Sequence, residues 1–205
     1  MTTVAIETPH GLARAHVHAV AKARAALVLG HGAGGGVGSR DLVAARDAAL
    51  EQSVSVALVE QPYRVAGRRS PAPAHHLDAA WLAVVEHLRA RELDGVPLVV
   101  GGRSSGARVA CRTAQATGAV GVVCLAFPLQ PPRRAGKPEA PSRLSELDAV
   151  SVPTLVVQGA RDPFGVPPPS ALRAVVQVQS DHSLRGDLDM VAAAVGDWLG
   201  RLKRP

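Results

Sequence analysis

Aromatic residues, cysteines and long apolar runs are all scarce in this chain of 205 residues. Aromatic side chains account for 2% of the sequence, so alanine, valine and leucine must fill the core, and few rings are present to stack on nucleic-acid bases. The longest apolar runs, such as residues 120–127, are far shorter than the roughly 20 residues that span a membrane. We therefore expect neither a membrane protein nor a nucleic-acid-binding protein.

The formal charge of the chain is +6, and it comes mainly from scattered arginines. Small basic clusters stand at positions 68–69, 133–134 and 201–204. Scattered charge is typical of a basic soluble surface, whereas a nucleic-acid site concentrates its charge on one face. The excess is also compatible with a small anionic substrate.

The two cysteines, Cys111 and Cys124, show no Cys-x-x-Cys spacing. Both fall in apolar segments, so we expect two buried, reduced thiols rather than a disulfide or a metal pair. The amino terminus has no basic region followed by an apolar segment, as a secretory signal would have. These features predict a cytoplasmic protein with no metal site and no cofactor.

Strand-like and helix-like segments alternate along the chain, and its length suits one domain, residues 1–205. A hairpin signal, residues 3–6 and 15–20, comes first. The alternation predicts an α/β fold with a mostly parallel central sheet, an antiparallel N-terminal hairpin, helices on both faces and little or no cap domain. The predicted strands are 25–29, 54–59, 97–100, 120–127, 154–158 and 175–178; the predicted helices are 39–51, 75–91, 105–116, 144–150, 170–173 and 187–202; and 64–74 and 128–141 are predicted loops.

The segment from Gly102 to Gly106 reads Gly-Arg-Ser-Ser-Gly and matches the pattern Gly-x-Ser-x-Gly. In hydrolases built on a parallel sheet, this pattern is the nucleophile elbow, a strained turn between a strand and a helix. The glycines must be small because the strand and the helix pass closely there. Taken alone, the pattern fits a glycine-rich turn with an incidental serine equally well. In an elbow, Ser104 would project from the carboxyl end of the strand as a nucleophile.

A serine nucleophile needs a base that accepts its proton and an acid that orients the base. His182 is the one histidine that follows Ser104 in the sequence, and it comes directly after the last predicted strand. Asp162 follows the preceding strand in a tight turn, with Asp148 and Asp181 as alternatives. Because hydrolases of this type carry serine, acid and histidine in that order, the sequence predicts Ser104, Asp162 and His182 as a catalytic triad.

Acyl transfer also needs N–H donors for the developing oxyanion. The N–H of Ser105 stands at a helix start, where it has no helical partner. A second donor is expected from the glycine-rich loop that begins at Gly30, and we assign it to Ala33, with Gly34 as the alternative.

The same loop also fits a second interpretation. Gly30-x-Gly32-x-x-Gly35 matches the weak dinucleotide-binding fingerprint, and Glu60 stands where its acidic ribose partner would. That interpretation leaves Ser104 and His182 unexplained, so it is the less favoured one.

Substrate contacts are expected from His31 and Gly34 in the glycine-rich loop and from Arg103 beside the nucleophile. Arg103, Arg133 and Arg134 fall in segments that should face the site, which suggests a carboxylate-bearing substrate. A structural interpretation of Arg103, as a helix-start residue paired with a neighbouring loop, is slightly favoured.

The chain resembles the small, dienelactone-hydrolase-like α/β-hydrolases, closest to the branch typified by testis-expressed protein 30 and the hydrolase-like domain of a subunit of the NSL histone-acetyltransferase complex. The motifs that carry the resemblance span most of the chain: 29–34, 101–108, 127–129, 157–165 and 181–183. The resemblance implies Ser104, Asp162 and His182 as the triad and Ala33 and Ser105 as the oxyanion hole.

Dienelactone hydrolases of the better-known type carry cysteine at the nucleophile position, where this chain has Ser104. The expected activity is therefore hydrolysis of an ester, thioester or related acyl bond of a small substrate. Because some members of the branch act within complexes, a non-catalytic scaffold is the alternative. The sequence leaves the substrate and the oligomeric state open.

Overall fold

The computed structural model describes residues 1–131 and 140–202, and within them eight strands form one mixed sheet. Their order across the sheet is β1-β2-β4-β3-β5-β6-β7-β8. The strands from β3 to β8 are parallel, whereas β1 pairs with β2, and β2 with β4, in antiparallel fashion. The strands are β1 (Thr2–Thr8), β2 (Gly11–His18), β3 (Ala25–Gly30), β4 (Val54–Glu60), β5 (Leu98–Arg103), β6 (Gly121–Leu125), β7 (Thr154–Gly159) and β8 (Arg173–Val178).

The N-terminal hairpin predicted from the sequence is confirmed, but its second strand begins earlier than expected. Thr8 is already opposite Gly11 in the ladder, so the turn holds only two residues between the strands. Gly11 has a φ of 106°, a conformation that favours glycine, and the Thr8 hydroxyl donates to its carbonyl at 2.6 Å. The predicted start at residue 15 was wrong because this tight turn lets pairing begin at once.

Helices cover both faces of the sheet, as predicted. On one face α3 and α4 pack against the strands, and on the other face α1 and α6 do so. Strand β3 is buried at every position because it is covered from both sides. In the described part of the chain, no helix is long and apolar enough to cross a bilayer. The helices are α1 (Arg40–Glu51), α2 (Pro62–Val65), α3 (Ala74–Arg89), α4 (Ser105–Thr117), α5 (Leu144–Asp148) and α6 (Leu188–Arg201).

Two segments differ from the sequence-based expectation. The predicted loop 64–74 overlaps the short α2, and the predicted helix at 170–173 is absent, since residues 165–172 are irregular and β8 starts at Arg173. Prolines disfavour the helical conformation of the residue before them and lack an N–H donor. The buried Arg173 side chain also holds this segment extended by donating to the Pro168 carbonyl at 2.8 Å.

The connections at the carboxyl edge of the sheet hold little additional secondary structure in the described residues. Outside residues 132–139, they contain α2 and α5 but no cap domain. Most of the predicted loop 128–141, including Arg133 and Arg134, lies outside the described residues.

A close crossing of backbones places the start of α4 against the end of β3. A Cβ at Gly102 would come within 2.6 Å of the Gly30 carbonyl oxygen, and one at Gly106 would overlap the same oxygen. Because real Cβ atoms do not approach oxygen so closely, both positions require glycine. The two glycines of the motif therefore bring the turn at residue 104 beside the glycine-rich loop that follows β3.

Candidate active site

Ser104 occupies a sharp turn between β5 and α4. Its φ is 52° and its ψ is −109°, values that residues with a side chain rarely adopt. Two backbone hydrogen bonds hold it there: its N–H donates to Leu125 O at 2.9 Å, and its carbonyl accepts from the N–H of Arg108 at 3.2 Å. This geometry is that of a nucleophile elbow, with the side chain at the carboxyl edge of the sheet.

Three side chains from three strand ends meet at this turn. The Oγ of Ser104 lies 3.0 Å from Nε2 of His182, and Nδ1 of the same imidazole lies 2.8 Å from Oδ2 of Asp162. A carboxylate only accepts hydrogen bonds, so Nδ1 carries the proton and Nε2 is left to accept from the serine hydroxyl. The structure thus brings together the three residues predicted as the triad.

The side chain of Asp162 is fully removed from solvent, and both of its oxygens have donors. Besides His182, its Oδ2 accepts from the side-chain amide of Gln158 at 2.7 Å, and its Oδ1 accepts from the N–H of Phe164 at 2.9 Å. The Phe164 ring packs edge to face against the imidazole of His182, with the ring centroids 4.5 Å apart. Hydrogen bonds of this kind stabilise the ionised form of a buried carboxylate.

The two alternative acids do not reach His182. Asp148 pairs with Arg173 at 3.0 Å, and its side chain is 56% exposed. Asp181 accepts hydrogen bonds from the N–H and the hydroxyl of Ser183, at 2.8 and 2.6 Å, and these bonds lower the pKa of its carboxyl. Both carboxylates are therefore committed to local structural contacts.

The glycine-rich loop after β3 lies next to the nucleophile. A Cβ at Gly32 would stand 3.6 Å from Cβ of Ser104, and a turn closes the loop through the Gly35 N–H to the Gly32 carbonyl at 3.1 Å. Within the described residues, the N–H groups of Ala33 and Ser105 donate to no carbonyl. Ala33 and Ser105 are thus in adjoining segments beside Ser104, with unused donors.

Tyr63 anchors this loop, a contact the sequence did not indicate. Its hydroxyl donates to the Ala33 carbonyl at 2.8 Å. Burial raises the pKa of Tyr63 to about 12, so the hydroxyl keeps its proton at neutral pH. Gly34 is exposed, with open space where a side chain would be.

His31 does not face the site. It is buried, and its Nε2 accepts the backbone N–H of Gln61 at 3.1 Å, so its Nδ1 must carry the proton that is shared with the Gly32 carbonyl at 2.8 Å. Burial lowers the pKa of His31, which agrees with a neutral ring. His31 therefore joins the glycine-rich loop to the end of β4. Because both of its ring nitrogens are engaged, neither is free to bind a substrate.

Arg103 is held by the protein on three sides. Its Nε lies 2.8 Å from Oδ2 of Asp41, a carboxylate at the start of α1 that is 1% exposed. Its Nη2 donates to the backbone carbonyl of His182 at 3.0 Å, and a Cβ at Gly32 would lie 2.7 Å from its Nη1. The structural interpretation of Arg103 fits this geometry, because the guanidinium joins α1, the glycine-rich loop and the His182 loop.

The dinucleotide interpretation finds little support in the geometry. The third glycine of the fingerprint opens a helix in such proteins, whereas here α1 begins only at Arg40, beyond Gly35. The Glu60 carboxylate, the expected ribose partner, already contacts Arg14 at 3.4 Å and His16 at 3.2 Å.

Gln158 is a further residue that sequence reasoning missed. It is fully buried, and its amide nitrogen serves the Phe127 carbonyl at 3.1 Å and the Gly165 carbonyl at 3.0 Å as well as Asp162. A signal was present, since Gln158 is a long polar residue directly after the apolar run 155–157 of a buried strand and therefore needs partners.

We expect Gln158→Leu to reduce kcat with little change in KM, because Asp162 loses a donor that fixes its orientation. The carbonyls of Phe127 and Gly165 also lose their partner, so the free energy of unfolding should fall by about 1–3 kcal/mol. Hydrolysis of p-nitrophenyl acetate, an activity of the class expected from the sequence, and urea unfolding measure the two effects. Gln177→Leu, an exposed glutamine paired with Gln158 in the next strand, is the matched control. Equal kcat values in the two variants would contradict this positioning role.

Comparison with known proteins is consistent with this geometry. The family model described as "Alpha/beta hydrolase domain" matches residues 23–190. No curated protein matches the chain. Among solved structures, XC6422 from Xanthomonas campestris, a member of the α/β serine hydrolases without a lid, has a TM-score of 0.75 and 19% identity, over 98% of this chain and 94% of that one.

Two further structures are similar over nearly the whole length. Est1E from Butyrivibrio proteoclasticus, with ferulic acid bound, has a TM-score of 0.76 and 16% identity over 97% of this chain and 98% of that one. Dienelactone hydrolase from Anabaena variabilis has the same TM-score and identity over 99% and 98% of the two chains. At these identities the likeness shows the fold, and the family match covers most of the chain. The chain therefore belongs to the α/β-hydrolase family.

Proposed function

We propose that the protein is a serine hydrolase that cleaves an ester, thioester or related acyl bond of a small substrate through an acyl-Ser104 intermediate. The observation that carries this proposal is the hydrogen-bonded chain from Ser104 Oγ through His182 to the buried Asp162. A serine hydroxyl is a poor nucleophile at neutral pH, and an imidazole held by a carboxylate is the arrangement that activates it.

In the first half of the reaction, Nε2 of His182 accepts the hydroxyl proton while Ser104 Oγ attacks the acyl carbon. Asp162 stabilises the imidazolium that forms and keeps Nε2 directed at the serine. The same proton then passes from Nε2 to the departing alkoxide or thiolate, which leaves the acyl group on Ser104. In the second half, a water molecule gives its proton to Nε2 and attacks the ester, and Ser104 recovers its proton as the acid departs.

The oxyanion of each tetrahedral intermediate would lie against the N–H groups of Ala33 and Ser105. One such donor contributes about 3 kcal/mol to the transition state. Support comes from their unused N–H groups beside Ser104 and from the Tyr63 hydroxyl that holds the Ala33 carbonyl. The mechanism needs neither a metal ion nor an organic cofactor.

We propose that the substrate is a small acyl compound and, more specifically, one that carries a carboxylate. The support is the net charge of +6 and the resemblance to small dienelactone-hydrolase-like enzymes, including the branch of testis-expressed protein 30. The ion pair with Asp41 occupies much of Arg103, so an anion would depend more on other basic residues. The test compares the hydrolysis rates of a neutral and an anionic p-nitrophenyl ester as the ionic strength rises. An equal effect of salt on both rates would contradict the preference for a carboxylate-bearing substrate.

Labelling with a fluorophosphonate, followed by peptide mapping, tests the function itself. We expect one covalent adduct, on Ser104, and hydrolysis of p-nitrophenyl acetate by the unlabelled protein. If the folded protein neither labels nor turns over, the scaffold alternative replaces this proposal. If a nucleotide stabilises it against heat while Ser104 stays inert, the dinucleotide alternative does so.

A further inference from the structure

A cavity of about 310 Å³ lies between the turn of the N-terminal hairpin, α2 and the start of α3. We call it the hairpin pocket. Apolar side chains form much of its wall, among them Leu12, Pro62, Val65 and Leu77. Its volume is at the lower end of the range of about 300–1,000 Å³ that small-molecule sites occupy. A short alkyl chain is therefore the size of group that it can enclose.

Apart from Tyr63 and Gln61, whose amide nitrogen donates to the Leu77 carbonyl, the polar side chains of the lining are basic. His10, Arg68 and His76 line the pocket, and among its lining residues, all in the described part of the chain, none has a carboxylate. The rings of His10 and His76 stack with their centroids 3.8 Å apart, and His75 lies 4.3 Å from His76. This part of the lining has cationic or ionisable groups and no anion to balance them.

The charged groups on the surrounding elements do not neutralise the basic groups of the lining. Asp78 on α3 is bound by Arg112. Glu60, at the end of β4, contacts Arg14 and His16, and Glu7 on β1 is exposed. Arg64 on α2 adds positive charge, and its Nη1 donates to the Arg68 carbonyl at 3.3 Å.

The neighbouring histidines also affect the pKa of His76. Desolvation and then the positive charges of His10 and His75 lower the pKa of His76. A bound anion would act in the opposite direction, because it stabilises the protonated rings. The Tyr63 hydroxyl is already used by Ala33, so the histidines and Arg68 are left to contact an anion.

We propose that the hairpin pocket binds a small amphipathic monocarboxylate, with its alkyl chain against Leu12, Pro62 and Leu77 and its carboxylate against His10, Arg68 and His76. The pairing follows from complementarity, since an apolar wall favours the chain and the unmatched cationic groups favour the head group. Ser104, Asp162 and His182 do not line this cavity, so the proposal does not require the hydrolase activity, although Tyr63, which holds the Ala33 carbonyl, is part of the wall.

Octanoate is the probe for the test, with octylammonium as its counterpart of opposite charge, and binding to the full chain is followed by calorimetry. We expect saturable octanoate binding that strengthens as the pH falls from about 7 to about 5.5, where histidines gain protons while the carboxylate stays ionised. The window lies low because the pKa of His76 is lowered. The double variant His10→Gln/His76→Gln and the single variant Arg68→Gln should each weaken it about tenfold or more. Arg69→Gln, an exposed neighbour outside the lining, should leave it unchanged.

Three outcomes would overturn the proposal: no saturable octanoate binding by the wild type, equal binding of octylammonium, or equal losses in the Arg68 and Arg69 variants. Octanoate bound in the active site is distinguished by fluorophosphonate treatment, which should leave binding intact; loss of binding on Ser104 modification counts against the hairpin pocket. Thermal unfolding of each variant verifies that it is folded.

Discussion

Replacing Ser104 by alanine is expected to lower kcat for p-nitrophenyl acetate by at least about a thousandfold and to abolish fluorophosphonate labelling. The variant removes the Oγ atom that lies 3.0 Å from His182 while leaving in place the backbone turn and the two proposed oxyanion donors. Residual hydrolysis above the rate in water would come from the oxyanion hole and from substrate binding alone.

Ser105→Ala is the matched control for this prediction. Ser105 begins α4 and is expected to serve through its backbone N–H, which alanine retains. Its kcat should therefore stay near that of the wild type. Substantial turnover by Ser104→Ala, or an adduct mapped to Ser105, would contradict the role assigned to Ser104.

The second large effect is expected at the ion pair between Arg103 and Asp41. Arg103→Met leaves a carboxylate that is 1% exposed without its partner, which should cost about 3–5 kcal/mol in the free energy of unfolding. The same change removes the hydrogen bond from Arg103 to the His182 carbonyl, so the loop that carries His182 also loses a support. A displacement of about 1 Å in a catalytic group can lower the rate about a hundredfold, and we expect kcat to fall on that order.

A double variant separates the two consequences. In Arg103→Met/Asp41→Leu no buried charge remains, so most of the lost stability should return, because apolar pairs often replace buried ion pairs without penalty. The kcat should stay low, since nothing then holds the His182 carbonyl. Recovery of kcat together with stability would show that the ion pair serves folding alone.

Arg108→Met is the control for these arginine variants. Arg108, on α4, donates two hydrogen bonds to Glu146, and the two side chains are 26% and 17% exposed. Because Glu146 is not fully buried and keeps Arg112 as a second partner, the loss in unfolding free energy should be smaller than for Arg103→Met, and kcat should hardly change.

The parts of the site that follow strands were accessible from the sequence. In a parallel sheet, the carboxyl ends of the strands share one edge, so Ser104, Asp162 and His182, each directly after a predicted strand, had to lie near one another. The hairpin and the helices on both faces followed in the same way from periodicity and from the apolar runs.

What escaped prediction depends on contacts between residues distant in the sequence. Asp41 falls in the predicted helix 39–51, yet it points inward to Arg103, and Tyr63 follows a predicted strand, yet its hydroxyl reaches Ala33. His31 was expected to contact substrate because of its loop, but the N–H of Gln61 occupies its ring. Local sequence carries no information on such partners. Which residues become partners depends on which loops the sheet brings together.

The backbone conformation of Ser104 bears on the choice between an enzyme and a scaffold. A φ of 52° with a side chain costs on the order of 1–3 kcal/mol, whereas glycine would adopt it freely and would lose only about 0.5–1 kcal/mol through its greater freedom when unfolded. A protein used solely as a platform for partners would thus be at least as stable with glycine at this position. With serine at this position the protein is less stable, and what the structure shows in exchange is a hydroxyl 3.0 Å from Nε2 of His182. Residue 104 is therefore a position at which stability and activity are opposed, which favours the enzyme over the scaffold.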